Sequence, residues 1–498
     1  MVDMSSFRNY LAIDLGAESG RVILAKFDGE KIVTEELDRF FNEPVLFNGT
    51  LYWDILRLIL NIRNGINKAL KITEGNVKSI GVDTWGVDFG LIGKDGSLLQ
   101  NPVHYRDKRT VNQAQQVQKK ISLKKVFEET GFNNKELSTI FQLNYLVDKK
   151  PWLIDTTDKI LMIPDLLNYF LAGVKFNEYT EVTTTGIYSP SEMTWSKKIC
   201  SAIGIPERIL PEVIIPGKKI GNLLPEILDY YTNKKIEVIS TPSHDTSSAV
   251  ASTPFDNPDS GFISSGTWSI FGIETDEPII DIKGFHNSFT NEGGAAKKII
   301  FVKNLTGLWI LQNCKKEWQK QLNRSLTWDE IVHAAERSKP LTCLINVDHQ
   351  SFFNTDNMIK AISEYCRNTN QPIPEGMGSI ARCCIESLAL RYKETYLQLV
   401  DIIRKPLNRM HIIGGGSRNR LLCQATADAL GIPVISGPVE ATALGNVSFQ
   451  AICTGDILDI NEARKIISGS ERISELEPTN TDLWQEAFQK YNKIVAQA

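Results

Sequence analysis

The sequence lacks any apolar run long enough to cross a membrane, and its first residues lack the basic start and apolar core of a secretory signal. We therefore expect a cytoplasmic protein without a membrane partner. Excess charge of either sign is also lacking, because 55 Lys and Arg residues stand against 59 Asp and Glu residues and the net charge is only -4. Lysine pairs are scattered rather than clustered, so no nucleic-acid partner is expected.

The cysteines lack C-x-x-C spacing, and most of them lie within apolar or helical patterns. This favours free buried thiols over a zinc site or a disulfide framework. The eight positions are Cys200, Cys314, Cys343, Cys366, Cys383, Cys384, Cys423 and Cys453.

Length and composition indicate an ordinary globular protein. The chain has 498 residues, of which 42% are hydrophobic and 23% charged. A chain of this length favours roughly two to four domains. A loop rich in Pro, Asp and Asn over residues 253–259 is a reasonable domain boundary.

Both common nucleotide-binding motifs are missing. Residues 409–413 predict a strand that leads into three consecutive glycines, 414–416, and then a helix over 420–430. Asn419 occupies the last glycine position of G-x-G-x-x-G, and no Lys-Ser/Thr pair follows as in the P-loop. Three glycines at a strand-to-helix corner nevertheless let the backbone press against a flat ring or a phosphate.

A second turn with glycines follows the first predicted strand. Residues 10–13 predict a short strand, 14–21 a polar turn, and 22–27 a second strand. The two glycines permit positive φ and remove side chains, so the turn can bring backbone N–H groups close to an anion such as a phosphate. Asp14 could hold magnesium through water, because that cation prefers carboxylate oxygens. A plain glycine hairpin is the alternative.

A third strand over 32–40, a helix over 55–70 and a strand over 77–82 come next. Trp85 and Gly86 follow this last strand, at the strand end where ligands gather in α/β folds. A Trp face beside a glycine suits a sugar, although Trp is also a common core residue. Residues 104–109 predict the opening of a polar helix with most of its charge solvated.

The middle of the chain places a carboxylate at a strand-to-helix corner. The apolar residues Ile236, Val238 and Ile239 predict a buried strand. Pro242 ends it, and a helix of small residues is predicted from about Thr246. Asp245 is placed at this corner to act as a base. The alternative is that Asp245 only caps the helix, since Asp is a favoured capping residue.

The second half repeats the design of strand, small polar turn and strand over residues 261–273. Thr267 at this turn can donate its hydroxyl to a phosphate oxygen, although such a turn also suits any β-hairpin. A further hairpin over residues 289–302 precedes a segment whose last part is helical. Asn304 is predicted near the start of that helix, where capping is the alternative to a functional role.

Taken in this order, these stretches resemble the FGGY carbohydrate kinase family over about the whole chain. The most telling segments are residues 83–89, 243–246, 264–268, 291–294 and 414–417, the last followed by Asn419. The resemblance implies an α/β fold with two ribonuclease-H-like domains, as in the actin, Hsp70 and sugar kinase superfamily, flanking a nucleotide cleft. Residues 1–252 would form the sugar-binding domain with the catalytic Asp, and residues 253–498 the nucleotide-binding domain.

Within this family, the resemblance is to kinases of the ketose L-rhamnulose. It implies transfer of the γ-phosphoryl group of ATP to the 1-hydroxyl of L-rhamnulose, giving L-rhamnulose 1-phosphate in rhamnose catabolism, with Mg²⁺ bound near Asp14. Asp245 matches the general base. Positions that match sugar contacts are Gly86, His244, Asp245, Thr246 and Asn304. Positions that match nucleotide contacts are Ala17, Glu18, Ser19, Gly20, Arg21, Thr267, Gln312 and Gly415.

One position departs from the family pattern, because Glu18 stands where many sugar kinases carry a small hydroxyl residue. Its side chain is therefore not expected to touch phosphate. The partners implied are a small sugar and ATP, and the chain would act as a monomer or homodimer. One alternative is an FGGY kinase of another ketose, such as L-fuculose or D-xylulose. A remote alternative is an actin-like or Hsp70-like nucleotide switch, in which the pair His244 and Asp245 has no evident purpose.

Overall fold

The computed structural model describes residues 7–229, 235–353 and 355–497. The chain divides into two compact units. The first unit comprises Met1–Pro254, Glu274–Phe301 and Glu440–Ser470, and the second comprises Phe255–Ile273, Val302–Val439 and Glu471–Ala498. Two segments of the second half, 274–301 and 440–470, therefore pack with the first unit, and in this respect the units differ from the predicted halves 1–252 and 253–498.

The strands, in chain order, are β1 (Arg8–Leu15), β2 (Ser19–Phe27), β3 (Ile32–Phe41), β4 (Val45–Phe47), β5 (Thr50–Tyr52), β6 (Ser79–Thr84), β7 (Phe89–Gly93), β8 (Thr157–Met162), β9 (Asn177–Glu178), β10 (Tyr188–Ser189), β11 (Thr194–Trp195), β12 (Val213–Ile214), β13 (Lys218–Asn222), β14 (Glu237–Ser240), β15 (Ser260–Ser265), β16 (Trp268–Thr275), β17 (Thr290–Gly293), β18 (Ile299–Thr306), β19 (Arg409–Ile413), β20 (Val434–Ser436) and β21 (Ser474–Leu476).

The α-helices are α1 (Ile55–Ile72), α2 (Gln113–Lys120), α3 (Leu123–Thr130), α4 (Thr139–Lys149), α5 (Pro151–Thr156), α6 (Ile163–Ala172), α7 (Tyr179–Val182), α8 (Lys197–Ile203), α9 (Asp245–Ala251), α10 (Ile282–His286), α11 (Trp309–Leu322), α12 (Trp328–Glu336), α13 (Met358–Asn368), α14 (Gly376–Ile403), α15 (Arg420–Leu430), α16 (Ala441–Cys453), α17 (Ile460–Ser470) and α18 (Thr481–Gln497). Within the described ranges, no helix is both long enough and apolar enough to cross a membrane.

The first unit is built on a six-stranded sheet in the order β13-β14-β6-β1-β2-β3. Strands β14, β6 and β1 run parallel to one another, whereas β2 is antiparallel to both β1 and β3. Side chains on both faces of β1 and β6 are buried, as is usual for the centre of a sheet that is covered on both sides. Helix α1 covers one face with an apolar stripe, and the Asp54 side chain caps it by accepting a hydrogen bond from the Arg57 backbone N–H.

The second unit has the same strand order around its own centre. Its strands follow β18-β16-β15-β19-β20-β21, with β15, β19 and β20 parallel and β16 antiparallel to β15. In the first unit, β1 and β2 form an antiparallel pair, and β6 and β14 extend the sheet in parallel from β1. In the second unit, β15 and β16 form the antiparallel pair, and β19 and β20 extend the sheet in parallel from β15. The carboxyl ends of parallel strands meet at one edge of a sheet, which is where side chains for chemistry collect.

The predicted strands and helices around the glycine turns and Asp245 are confirmed, with boundaries shifted by a few residues. Asn304 is different, because it lies within β18 and Leu308 holds the N-cap position of α11. The capping alternative for Asn304 is therefore wrong. The strand continues through residue 306, beyond its apolar residues 299–302, so the helix begins further along the chain than predicted.

Candidate active site

Asp14 and Asp83 lie side by side near the carboxyl ends of the two central strands of the first unit. They are direct register partners of the parallel pair β1 and β6. Asp14 is 8% exposed, and its carboxylate accepts a hydrogen bond from Arg21, its register partner on β2. Arg21 also donates to Glu440 at 2.6 Å. The guanidinium of Arg21 thus balances part of the negative charge of Asp14 and Glu440.

Asp83 was not among the predicted site residues, although it stands at the head of the 83–89 motif. It is fully buried, and one of its oxygens accepts a hydrogen bond from Asn446 Nδ2 at 2.6 Å. The other oxygen, Oδ1, has no hydrogen-bond partner among the described residues. Burial raises the pKa of Asp83 well above its usual value, and the charges of Asp14 and Asp245 raise it further. The position at the end of a central strand was the signal that could have identified it.

Asp245 is the first residue of α9, and the chain reaches it directly from the sheet. The Thr84 N–H donates to the Ser243 carbonyl at 2.8 Å and continues the ladder from β6, so the turn into α9 stands at the same sheet edge. His244, not Asp245, holds the N-cap position, and the capping alternative for Asp245 is therefore wrong. Its carboxylate accepts a hydrogen bond from the Thr246 hydroxyl at 3.1 Å.

The carboxyl of Asp245 has the environment of a base. Its side chain keeps 34% of its surface exposed, so a ligand can reach it. Burial of this carboxyl among the surrounding residues raises the pKa of Asp245 to about 7, and the charge of Asp14 adds to this rise. A carboxyl with a pKa near neutrality can both accept and release a proton at physiological pH.

His244 lies between two acidic side chains. Its Nε2 is 3.7 Å from Asp245 Oδ1, and its Nδ1 is 3.5 Å from Glu292 Oε2. Burial lowers the pKa of His244, while the charge of Glu292 opposes that change. Burial also raises the pKa of Glu292. Glu292 belongs to β17, so residues far apart in the sequence lie on either side of this imidazole.

A buried glutamate fastens the turn that carries His244. Glu178 Oε2 accepts hydrogen bonds from the Ser243 N–H at 3.1 Å and from the Ser243 hydroxyl at 2.7 Å. The same oxygen accepts the Thr180 N–H at 2.9 Å, and Thr180 Oγ1 in turn accepts the His244 N–H at 3.1 Å. These bonds hold the backbone of the site before any ligand arrives, which is the preorganisation that catalysis needs.

Gly86 lies against the same histidine. A Cβ atom at this position would come 3.1 Å from Thr184 and 3.2 Å from His244 Cδ2, so a larger residue would reduce the space beside the imidazole. The next residue, Val87, has φ +71°, which is unusual for a β-branched residue. Its N–H donates to Thr184 Oγ1 at 3.1 Å, and its carbonyl accepts from Thr139 at 2.6 Å. Such strain persists only where the surroundings enforce it, and it is concentrated at functional sites.

Trp85 belongs to the core. It is 6% exposed, its ring centroid lies 4.2 Å from that of Trp53, and its indole N–H donates to Asp88. The prediction that residues 104–109 are mostly solvated is wrong for two charged side chains. Asp107 is buried and accepts the Leu51 N–H at 2.8 Å, while Arg109 donates to the Val103 carbonyl at 3.4 Å. These hydrogen bonds hold the backbone at Leu51 and Val103 in place.

The turn between β1 and β2 is tight, and the Gly16 N–H donates to the Ser19 carbonyl at 2.9 Å. Ala17 and Ser19 are partly exposed and Glu18 is exposed. The turn does not use the positive φ that glycine permits, because neither Gly16 nor Gly20 adopts it. Gly20 is instead required by packing, since a Cβ atom there would lie 2.4 Å from the side chains of both Leu15 and Phe40.

The second unit brings its own predicted residues to one edge of its sheet. Thr267 lies in the turn between β15 and β16, and its carbonyl accepts the Gly307 N–H at 3.2 Å just before α11. Gln312 lies in the first turn of α11 and is partly exposed. A Cβ atom at Gly416 would strike Ser265 Oγ at 2.1 Å, so the glycine loop presses on the end of β15.

Gly415 is exposed, and a Cβ atom there would meet nothing within 4 Å. Its backbone therefore has room for a flat group to lie against it. Asn304, in β18, is exposed as well. In the second unit, Thr267, Gln312, Gly415 and Asn304 thus all keep surface for a ligand.

Two family matches cover most of the chain. Residues 9–251 match the N-terminal domain of the FGGY family of carbohydrate kinases, and residues 261–453 match its C-terminal domain. A protein named rhamnulokinase from Bacteroides thetaiotaomicron is 39% identical over 488 residues, which cover 98% of this chain and 99% of the relative. A rhamnulokinase from Bacillus subtilis is 36% identical over 95% of this chain and 96% of its own length.

Solved structures share the fold at low sequence identity. Gluconate kinase from Lactobacillus acidophilus has a TM-score of 0.79 and 16% identity, with 99% of this chain and 98% of that chain covered. Glycerol kinase from Plasmodium falciparum, solved with ADP, has a TM-score of 0.78 and 16% identity, again with 99% and 98% covered. The predicted fold class, two ribonuclease-H-like α/β domains, is confirmed.

Proposed function

The chain belongs to the FGGY family of carbohydrate kinases, and we propose that it transfers the γ-phosphoryl group of ATP to the 1-hydroxyl of L-rhamnulose, a step of rhamnose catabolism. The observation that carries the choice of sugar is the 39% identity to a protein named rhamnulokinase over 98% of the chain. The product is L-rhamnulose 1-phosphate, with ADP released.

Asp245 is the proposed general base. Phosphoryl transfer depends mostly on positioning and on neutralising charge, so the base has to orient one hydroxyl and accept one proton from it. A pKa of about 7 suits that task at neutral pH. Such a base typically contributes about 10²–10⁴-fold to the rate.

The proposed sugar contacts are Gly86, His244, Thr246 and Asn304, together with Asp245. With its pKa lowered by burial, His244 is neutral at physiological pH and carries one ring proton. Glu292 beside Nδ1 favours the tautomer with the proton on that nitrogen, which leaves Nε2 as a hydrogen-bond acceptor for a sugar hydroxyl. Because Gly86 has no side chain, the space between Thr184 and His244 stays open for the sugar; a Cβ atom at this position would occupy it.

The proposed nucleotide contacts are Ala17, Glu18, Ser19, Gly20, Arg21, Thr267, Gln312 and Gly415. Glu18 would contribute its backbone only, since its side chain carries a charge of the same sign as phosphate.

Magnesium fits the carboxyl group of Asp14, with Asp83 beside it. The orphaned Asp83 oxygen and the raised pKa of Asp83, which comes from burial and from the charge of Asp14, mark a place where a divalent cation would relieve repulsion. When bound, the cation would neutralise charge on the phosphates of ATP. Arg21 keeps Asp14 oriented by its hydrogen bond.

We further propose that the protein acts in the cytoplasm, where ATP and the sugar are available, as a monomer or homodimer. An FGGY kinase of L-fuculose or D-xylulose is the alternative within the same family. A nucleotide switch is disfavoured because Asp245 has the raised pKa of a catalytic base.

The experiment is a comparison of ADP release with L-rhamnulose, L-fuculose, L-ribulose and D-xylulose, using the parent, Asp245→Asn and Asp482→Asn. Asp482 is an exposed aspartate in the first turn of α18 and serves as the matched control. We expect L-rhamnulose to give the highest kcat/KM and Asp245→Asn to lose about 10²–10⁴-fold in kcat while still binding sugar. A higher kcat/KM for another ketose would refute the substrate, and an active Asp245→Asn enzyme would refute the base.

A further inference from the structure

Three thiols that are distant in sequence meet in the interior of the second unit. Cys343 lies in the segment between α12 and α13, Cys366 on α13 and Cys383 on α14. Their exposed fractions are 3%, 0% and 2%, and their Sγ atoms all lie within 4.8 Å of one another. The buried state of these cysteines agrees with the sequence analysis, but their grouping is a result of the fold.

The backbone that presents Cys343 is held in place on both sides. The Leu344 N–H donates to Gln371 Oε1 at 2.9 Å, and the Gln371 amide returns a hydrogen bond to the Leu344 carbonyl at 2.7 Å. The Ile345 N–H donates to Ser387 Oγ at 2.9 Å, one helical turn beyond Cys383. The three sulfur atoms are therefore positioned by fixed elements, as a binding site requires.

A positive charge lies beside the segment that carries Cys343. Lys490 Nζ donates to the Thr342 carbonyl at 3.4 Å, and a nearby ammonium group favours the thiolate form of cysteine. The thiolate, not the thiol, is the form that binds metal.

We propose that Cys343, Cys366 and Cys383 form a three-coordinate site for a soft monovalent metal ion, Cu(I). With metal–sulfur distances of about 2.3 Å in a trigonal plane, the three sulfur atoms would lie about 4.0 Å from one another (2.3 × √3). This agrees with the structure, in which the Sγ atoms lie within 4.8 Å of one another. Soft thiolate ligands select Cu(I), Zn²⁺ or iron–sulfur clusters. Structural zinc takes four ligands, whereas this group of possible ligands among the described residues has three members, a number that suits Cu(I).

A cavity borders α13, the helix that carries Cys366. A cavity of about 480 Å³ within the second unit is lined by residues that include Ala361, Tyr365 and Thr369. Tyr365, which lines this cavity, is the neighbour of Cys366 in the chain. An ion would reach the sulfurs from this cavity by displacement of the Tyr365 side chain.

The test is an anaerobic titration of the reduced full-length chain with Cu(I), buffered by a competing chelator, followed by X-ray absorption at the copper edge. We expect one Cu(I) per chain with three sulfur neighbours. The change Cys366→Ser should weaken binding by more than the roughly 10–100-fold that loss of an outer-shell partner typically causes. Cys200→Ser, which removes a buried thiol of the first unit, should leave the affinity unchanged.

The affinity should also fall as the pH falls, because protons compete with the metal for the sulfurs. Circular dichroism checks that Cys366→Ser is folded, and Cys366→Ala provides a second variant. If neither variant folds, the parent alone decides through its number of sulfur ligands. Nitrogen or oxygen ligands, fewer than three sulfurs, or equal weakening by Cys200→Ser would overturn the proposal. Formation of a disulfide within the group, without Cu(I) binding by the reduced chain, would overturn it in favour of a redox role.

Discussion

The change Gly445→Ala tests whether the position of Asp245 depends on the contact between α16 and α9. A Cβ atom at Gly445 would lie 1.8 Å from the carbonyl oxygen of Ser248 and 2.7 Å from its carbonyl carbon. Real Cβ atoms essentially never come closer than 3.0 Å, so the helices would have to separate by about 1.2 Å (3.0 − 1.8). No side-chain rotation can relieve this clash, because the obstructing atoms belong to the backbone.

The energetic effect can be worked out from the contacts at this junction. Overpacking typically costs about 1–3 kcal/mol. Separation also strains the hydrogen bonds from Asn446 to Asp83 at 2.6 Å and from Ser248 Oγ to the Thr442 carbonyl at 2.9 Å, each worth about 1 kcal/mol. Against these, alanine is favoured over glycine within a helix by about 1 kcal/mol. We expect the free energy of unfolding to fall by about 2–4 kcal/mol.

The same displacement should reduce activity, because Asp245 begins α9 only three residues before Ser248. A misplacement of about 1 Å can cost about 10²-fold in rate. Urea unfolding measures the first effect, and kcat for ADP release with L-rhamnulose measures the second.

Gly469→Ala is the matched control, since Gly469 lies in α17 of the same unit and a Cβ atom there would meet nothing within 4 Å. It should stabilise the chain by about 0.5–1 kcal/mol and leave kcat unchanged. If Gly445→Ala also stabilises the chain and keeps full activity, the argument that this contact positions Asp245 is refuted.

Three further predictions concern charge. Because burial and Asp14 raise the pKa of Asp245 to about 7 and the base must be deprotonated, kcat/KM should fall tenfold per pH unit below about 7; a limb near pH 4 would contradict this. Burial lowers the pKa of His104 to about 4, so the unfolded state binds more protons between that value and 6.5. Between pH 8 and pH 5, urea unfolding should therefore show the parent losing about 2 kcal/mol more stability than His104→Asn, because carboxyl groups such as Asp245 affect both proteins alike; equal changes in the two would contradict this. Glu292→Gln removes the charge beside His244 Nδ1 and should lower kcat/KM about tenfold, with steady-state kinetics as the measurement and an unchanged value as the contrary result.

The sequence located Asp245 and Gly415 because their surroundings are local. An apolar run predicts a buried strand, proline or glycine ends it, and small residues begin the next helix, all within a dozen positions. Where local patterns were ambiguous, the inferences were less accurate. Asn304 lies in a strand that continues further than its apolar pattern, and Trp85 is buried against Trp53 in the core.

The sequence by itself determined the strands and helices around the glycine turns, the fold class through the family motifs, and the strand-to-helix turn that holds Asp245. Only the tertiary structure decided that Asp83 lies beside Asp14, that Glu292 faces His244, and that three separate thiols meet in the second unit. The physical reason is that strand and helix formation depends on neighbours in the chain, whereas these groupings depend on which elements pack together. Packing is set by sheet order and by contacts between residues far apart in the chain, which no local pattern records.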